Sequence, residues 1–217
     1  MAGPNLTYHQ PIYTVQTTTG LTPQTGSNSE QSGQTFKLGT PVQQNAGFIR
    51  AWDGATVAAA IAGFNLTNGL NLGTSGAGAP GAFGQIGPPG AIQTYGNVPN
   101  QPSAFNIAVG TPISDGRTLF ESATESNIFE ATFDNSTGTT AANYTPTQAM
   151  IGTQFGLTID ASGQWYVDAA KTTPGTNTVV TMVGINPIDL AATGTTYIVN
   201  ARVRFQVLPS AAQIIMG

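Results

Sequence analysis

The chain has 217 residues, a mass of 22.3 kDa and a net charge of −4, and charged side chains make up only 7% of it. An ordinary soluble domain carries roughly 25% charged residues, and six scattered Lys and Arg side chains are too few to neutralise a run of phosphates, which argues against nucleic-acid binding. The absence of cysteine excludes disulfides, thiolate metal sites and cysteine nucleophiles. Because no apolar run approaches the roughly 20 residues that cross a bilayer, we expect no membrane contact.

The first half of the chain is nearly free of charge and rich in glycine and proline. Residues 54–114 carry no charged side chain, and the same window contains 12 Gly and 6 Pro. Asp53 can cap a short helix over about 54–62, which alanines fill and Gly63 ends. The prolines that follow exclude further helix and disfavour central strands. We therefore predict an extended, irregular N-terminal arm over residues 1–103.

Isolated apolar side chains are spread along this predicted arm without a periodic core pattern. Ordering about 60 irregular residues costs on the order of 60–120 kcal/mol of backbone entropy, and offsetting it requires roughly 2,400–4,800 Å² of buried apolar area. Because such areas are typical of obligate subunit interfaces, we expect the arm to be buried between chains; the alternative is a flexible linker over 64–103. The candidate contact residues are Tyr8, Ile12, Tyr13, Phe83, Ile86, Ile92 and Tyr95.

The second half alternates apolar and polar residues, which is the pattern of half-buried β-strands. The clearest example is 197–207, where the odd-numbered residues are apolar and Arg202 and Arg204 share the other face. Weaker strand patterns lie at 105–109, 129–133, 155–159, 165–169 and 178–185, and hairpin turns are predicted at 115–116 and 160–163. We predict a mainly β fold, with a small β-barrel or sandwich over residues 104–217 preceded by the irregular arm and its short helix.

Few residues in this sequence can carry chemistry. His9 is the only histidine, and we expect it to lie on the surface outside any catalytic triad. Asp160 and Asp168 flank a predicted hairpin. The presence of Asp160 is explained by its suitability for the hairpin turn; the alternative is that the two carboxylates bind one Ca²⁺ between them. Four clustered acidic residues are expected to face solvent, with an incidental cation site as the alternative: Glu121, Glu125, Glu130 and Asp134. We predict no catalytic residue, no cofactor and no metal site, and hence a protein that is not an enzyme.

Two further pairs of side chains are candidates for binding. Trp165 and Tyr166 are consecutive in a predicted strand, so one is expected to enter the core and the other to emerge from it. An exposed Tyr166 could stack on a sugar. Arg202 and Arg204 place a third of the chain's cations on one strand face. That face is either solvated or docks on an acidic surface of a partner.

Five stretches of the second half resemble the C-terminal barrel of tailed-phage head proteins, the decoration or cement proteins that accompany a major capsid protein. They are DGRTLF at 115–120, IGTQFGL at 151–157, GQWYVD at 163–168, VTMVGINP at 180–187 and ARVRFQVLPS at 201–210. The resemblance covers about residues 104–213. It implies a non-enzymatic virion subunit on the outer surface of the capsid, often a homotrimer. Its partners would be the major capsid protein, which it clamps, and further copies of itself.

Two alternatives to a cement protein remain open at this point. The first keeps the virion but places the chain in the tail, baseplate or neck, where copies per particle would be far fewer than the hundreds expected of a cement protein. The second belongs to another class, a carbohydrate-binding module or surface adhesin that uses an exposed aromatic side chain such as Tyr166.

Overall fold

The computed structural model describes residues 9–20, 22–29, 37–45, 48–66, 117–192 and 194–213. Across these ranges the chain forms strands and short 3₁₀ turns and no α-helix, so the predicted mainly β class is confirmed. The strands are β1 (Tyr13–Thr17), β2 (Thr25–Ser29), β3 (Pro41–Asn45), β4 (Phe48–Ala51), β5 (Gly63–Asn65), β6 (Arg117–Ser122), β7 (Asn127–Asp134), β8 (Gln154–Ile159), β9 (Trp165–Asp168), β10 (Val180–Ile185) and β11 (Arg202–Val207). The 3₁₀ turns are Ala141–Tyr144, Gln148–Met150 and Pro187–Asp189. The described residues contain no helix long and apolar enough to cross a bilayer.

Five strands of the second half close into a barrel, as the sequence predicts. β7, β11, β10, β8 and β9 are hydrogen-bonded in that order, and β9 returns to β7. The pairings in this ring are antiparallel except for β7–β9, which is parallel and sets Phe133 beside Val167. The β8–β9 hairpin turns at 160–163, where the sequence places it. β9 pairs with the end of β7, which leaves the start of β7 free to pair with β1.

The barrel closes around the apolar faces of its strands. β11 buries Val203, Phe205 and Val207, while Arg202 and Arg204 lie half-buried on the outer face, as the alternation predicts. A register shift of one residue would exchange the two faces, so burial of the apolar set specifies the register. β11 is shorter than the predicted strand because Asn200 takes a left-handed conformation with φ of 59°, which ends the extended backbone before Arg202.

Residues from the first half of the chain belong to the same core. Ile12, Trp52, Ile61 and Phe64 are buried together with the inward side chains of the barrel. Phe64 packs against Phe129 of β7 with ring centroids 4.5 Å apart, and Trp52 packs against Trp165 of β9 at 5.2 Å. This part of the chain is therefore integral to the folded unit.

A second, antiparallel sheet has the order β2–β6–β5–β3–β4 and combines strands from both halves of the sequence. Val42, Ile49, Ala62 and Phe120 form a small separate cluster of buried residues within it. β5 and β6 are adjacent, and Asn65 lies opposite Phe120. β5 and β6, which flank residues 67–116 in the sequence, are therefore neighbouring antiparallel strands of one sheet.

The predicted N-terminal arm over 1–103 is wrong for the described residues between 9 and 66. Five strands lie in this region, and β1 joins the barrel sheet while β2 to β5 pair among themselves and with β6. Ile12, a candidate contact residue, is 2% exposed in the core of its own chain and is closed to a partner. Tyr13 is exposed on β1. The other candidates of the arm and the predicted strand at 105–109 lie outside the described residues: Tyr8, Phe83, Ile86, Ile92 and Tyr95.

The short helix predicted over 54–62 is also absent, and the structure shows why. The Asp53 carboxylate accepts hydrogen bonds from the amides of Ala55 and Thr56, as a helix cap would. The amides that would continue the helix have other acceptors. The Ala59 amide donates to the Ser210 carbonyl, and the Ala60 amide donates to the Ala211 carbonyl. Tertiary hydrogen bonds therefore replace the helical ones.

Candidate functional site

An exposed aliphatic surface lies on the connection between β10 and β11. Its four side chains are Ile188, Leu190, Ile198 and Val199, and they are 81%, 40%, 47% and 38% exposed. The first and last parts of the connection pair with each other. Leu190 and Tyr197 form an isolated antiparallel β-bridge, and the Ile198 amide donates to the Asp189 carbonyl at 3.0 Å. We call these four residues the aliphatic surface. No sequence pattern singles these residues out, because the alternation that predicts a strand over 197–207 includes Ile198 and Val199.

Asn186 fixes the start of this connection. Its side-chain oxygen accepts from the Ile188 amide at 3.0 Å and so caps the 3₁₀ turn. Its side-chain amide donates to both carboxylate oxygens of Glu130 on β7, at 3.1 and 3.0 Å. Because Asn186 and Glu130 are 5% and 1% exposed, these bonds are shielded from water and hold the turn against the barrel.

Arg202 fixes the other end of the connection. Its guanidinium donates from Nε and Nη2 to the two carboxylate oxygens of Asp189, both at 2.8 Å. The backbone amide of Arg202 donates to the same carboxylate at 2.8 Å. The side-chain hydrogen bond from Arg202 holds the pKa of Asp189 below its usual value despite partial burial.

Glu130 is the centre of a wider polar cluster on the outer face of the barrel. Besides Asn186, it contacts Arg202 Nη1 at 3.4 Å and Arg204 Nε at 3.5 Å, and it accepts from the Tyr13 hydroxyl at 2.9 Å. The two arginines are thus neutralised inside the chain by Glu130 and Asp189. Their side chains are 24% and 33% exposed and pair within the chain, and the docking of this face on an acidic partner stays a prediction.

A second polar cluster surrounds His9, which the sequence analysis placed on the surface. His9 is 1% exposed. Its Nδ1 lies 2.7 Å from Asp160 Oδ2 and its Nε2 lies 2.8 Å from Asp134 Oδ2. Its ring stacks on Tyr166 with centroids 4.3 Å apart. The prediction that His9 lies on the surface is wrong, because the segment before β1 packs against the β8–β9 turn and buries the His9 ring there.

The acidic residues of the second half are more buried than predicted. Glu130, Asp134 and Asp168 are 1%, 3% and 0% exposed, so the expectation that the acidic cluster faces solvent is wrong for Glu130 and Asp134. Their burial is compensated by donors from the protein. Asp168 accepts from Thr158 Oγ1 at 2.6 Å and from the amides of Ser136 and Ala170.

Asp160 combines the predicted turn function with an unpredicted contact. Its Oδ1 accepts from Ser162 and Gln164 inside the hairpin turn, while its Oδ2 faces His9. Burial opposes ionisation, but these hydrogen bonds outweigh it and lower the pKa of Asp160 to about 2. Asp160 and Asp168 are directed to different partners, and the described ranges contain no group of three side chains placed to share a metal ion.

Tyr166 does not emerge from the barrel. Trp165 and Tyr166 are 4% and 6% exposed, because both faces of β9 are covered: Trp52 packs on one and His9 on the other. The prediction of an exposed Tyr166 is therefore wrong. A sugar cannot stack on this ring in the folded protein.

A cavity of about 420 Å³ lies between β6 and the C-terminal segment and is bordered by Ala62, Ser122, Glu125, Pro209 and Gln213, among others. Glu125 is the one ionisable side chain among its described lining residues. Glycoside hydrolysis needs a second positioned carboxylate, and the described lining residues of this cavity do not include one.

Comparison of the chain with protein-family models, with curated proteins and with solved structures gave no match in any of the three.

Proposed function

We propose that this protein is a structural, non-enzymatic subunit of a tailed-phage virion, which decorates and cements the outer surface of the capsid. It would stabilise contacts between major capsid protein subunits. The resemblance of residues 104–213 to head decoration proteins suggests this assignment, and the aliphatic surface is the structural observation that carries it. A homotrimer is proposed from the same resemblance.

The aliphatic surface has the properties of a protein-binding site. Four aliphatic side chains on this one connection, with these exposed fractions, together expose roughly 300–400 Å² of apolar area, which is comparable to functional patches on monomers. A standard interface buries about 800 Å² on each partner, so the aliphatic surface has the size of an interface centre. Burial of such a centre dominates the binding energy.

The connection that carries this surface is held in place before binding. The bonds of Asn186 to Glu130 and of Arg202 to Asp189 fix both ends of it. A partner that covers the aliphatic surface therefore has little loop entropy to offset. Because the nearby charges are already paired within the chain, we expect the contacted surface of the capsid subunit to be apolar and uncharged.

The N-terminal half has a different role in this proposal from the one the sequence suggests. Residues 9–66 contribute strands and core side chains to one folded unit. We therefore do not assign capsid binding to them. The aliphatic surface on the β10–β11 connection takes their place as the proposed contact with the shell.

The decisive experiment measures the binding of the purified full-length chain to capsids that lack it. The variant Ile188→Asp places a charge at the most exposed position of the aliphatic surface, and we expect at least a tenfold loss of affinity. Ile159→Asp is the matched control, because Ile159 is 50% exposed at the end of β8, outside the aliphatic surface. It should bind like the unaltered chain.

The number of bound copies distinguishes the capsid from other parts of the virion. Saturation at hundreds of copies per particle supports a cement protein, whereas a few copies would assign the chain to the tail or neck. Equal binding of the Ile188→Asp and unaltered chains would remove the aliphatic surface from the proposal. Failure of the unaltered chain to bind any capsid would overturn the proposed function.

A further inference from the structure

We propose that the N-terminal segment, residues 9–17, is fastened to the barrel by a charge clamp that opens when the solution becomes alkaline. The clamp consists of the imidazolium of His9 between the carboxylates of Asp134 and Asp160. It joins the segment before β1 to the end of β7 and to the β8–β9 turn. This inference concerns the isolated chain and does not depend on the proposed function.

The geometry requires a charged imidazole. Both ring nitrogens of His9 lie within 2.8 Å of a carboxylate oxygen. An ionised carboxylate only accepts hydrogen bonds, and a neutral imidazole has one N–H to donate. With a neutral ring, one of these two contacts would set a nitrogen lone pair against an oxygen lone pair. Only the imidazolium donates to both carboxylates at once.

The surroundings of the ring favour the cation as well. Asp134 comes from β7, Asp160 from the β8–β9 turn, and Tyr166 and Asp168 from β9, and Tyr166 stacks on the ring. Two described cationic groups lie around these elements: Lys37 donates to the Ser162 carbonyl of the turn, and Lys171 interacts with Asp168. Burial alone would lower the pKa of His9, but the hydrogen bonds to Asp134 and Asp160 outweigh it and raise the pKa.

The direction of the pH effect follows from this arrangement. A histidine whose pKa is higher in the folded state than in the unfolded state stabilises the fold fully below the unfolded value of about 6.5. That stabilisation is lost as the pH rises through the folded value. Loss of the proton leaves one of the two carboxylates, 4% and 5% exposed, facing a ring nitrogen that no longer donates. The attachment of the segment through His9 is then weakened, and what remains of it is one ring hydrogen bond, the bond of 3.1 Å from the His9 amide to Asp160 Oδ2 and the stacking on Tyr166.

Release should be local because the rest of the molecule does not depend on His9. The other attachments of the segment include buried Ile12 and the short β1–β7 pairing with its register shift between Thr14 and Gln16. Hydrogen bonds add to them, from the His9 amide to Asp160, from the Tyr13 hydroxyl to Glu130 and from the Thr14 amide to Glu121. The barrel ring from β7 to β11 closes without this segment. We therefore expect the segment to open while the barrel stays folded.

Nuclear magnetic resonance tests the charge directly, since His9 is the only histidine in the chain. In the full-length protein at pH 6.5, the averaged ¹⁵N shifts of both ring nitrogens should lie nearer to those of imidazolium than to those of the neutral ring. The titration midpoint should lie above 6.5. A midpoint at or below 6.5 would overturn the clamp.

Amide hydrogen exchange tests the opening. After correction for the intrinsic pH dependence of exchange, protection of residues 9–17 should fall by up to about tenfold for each pH unit between 6.5 and the midpoint. Protection of β10 and β11 should stay constant. In His9→Gln, which cannot change its charge, protection of residues 9–17 should be lower than in the unaltered chain and independent of pH over the same range. Constant protection of residues 9–17 in the unaltered chain, with a raised midpoint, would refute the opening.

Discussion

Arg202 and Asp189 form a bidentate salt bridge, in which Nε and Nη2 of the guanidinium each lie 2.8 Å from a carboxylate oxygen. The two residues are 13 positions apart in sequence and lie at opposite ends of the connection that carries the aliphatic surface. A parallel pair of charge-assisted bonds fixes orientation as well as distance. The same contact that neutralises Arg202 thus also sets the shape of the surface proposed to bind the capsid.

The variant Asp189→Asn should weaken both the fold and the connection. It removes the charge of the acceptor and one of its accepting oxygens, so we expect a loss of about 1–3 kcal/mol in the free energy of unfolding. Urea denaturation at pH 7 measures this loss. Glu125→Gln is the control, because Glu125 is exposed on a loop and should change stability by less than about 0.5 kcal/mol. Equal stabilities of the two variants would contradict the assigned function of the pair.

The stability of the protein should fall at acid pH through Asp160. Its pKa is lowered to about 2 in the folded chain and is about 3.9 when unfolded. Because the folded value is the lower one, its stabilisation is present above pH 4 and is lost as the pH falls toward 2. We expect this group to account for roughly 2 kcal/mol of that loss. The free energy of unfolding should therefore fall less steeply between pH 5 and pH 2 for Asp160→Asn than for the unaltered chain. Equal slopes for the two proteins would disprove the assignment.

Gly63 is required for the pairing of β5 with β6. A Cβ at this position would collide with the backbone carbonyl of Glu121 and with the ring of Phe120. We expect Gly63→Ala to lower the melting temperature by several degrees, as a loss of about 2 kcal/mol would. Gly184→Ala on β10 is the matched control, since its added Cβ would meet nothing closer than 3.9 Å. A larger drop for Gly184→Ala would contradict this explanation.

Residues 104–217 should not fold as a stable barrel by themselves. Without the first half, Phe129 and Phe205 lose their contact with Phe64, and Trp165 loses Trp52. Exposure of such core surfaces costs several kcal/mol for each large side chain, which exceeds what a small domain can lose. We expect the fragment to be aggregated or to lack dispersed amide resonances in NMR spectra. A dispersed spectrum with a cooperative melting transition would show that the barrel is independent of residues 1–103.

The sequence by itself determined the parts of the fold that local alternation encodes. The inward residues of β7 and β11 and the turn at Asp160 follow from period-two patterning and turn chemistry, which need no knowledge of distant partners. In β8 the pattern is right for Phe155 and Leu157 and wrong for Ile159, which is 50% exposed. The low charge and the single histidine are likewise properties of composition. These features led to the correct fold class.

Only the tertiary structure decided what the first half does. β2 has the sequence Thr-Gly-Ser-Asn-Ser and forms a strand because β6 pairs with it. The alanines before Ile61 form no helix, because their amides donate to the carbonyls of Ser210 and Ala211. His9 and Asp134 are 125 residues apart in sequence and 2.8 Å apart in space. Strand pairing and buried ion pairs are contacts between distant residues, and their energies depend on burial that no local pattern records.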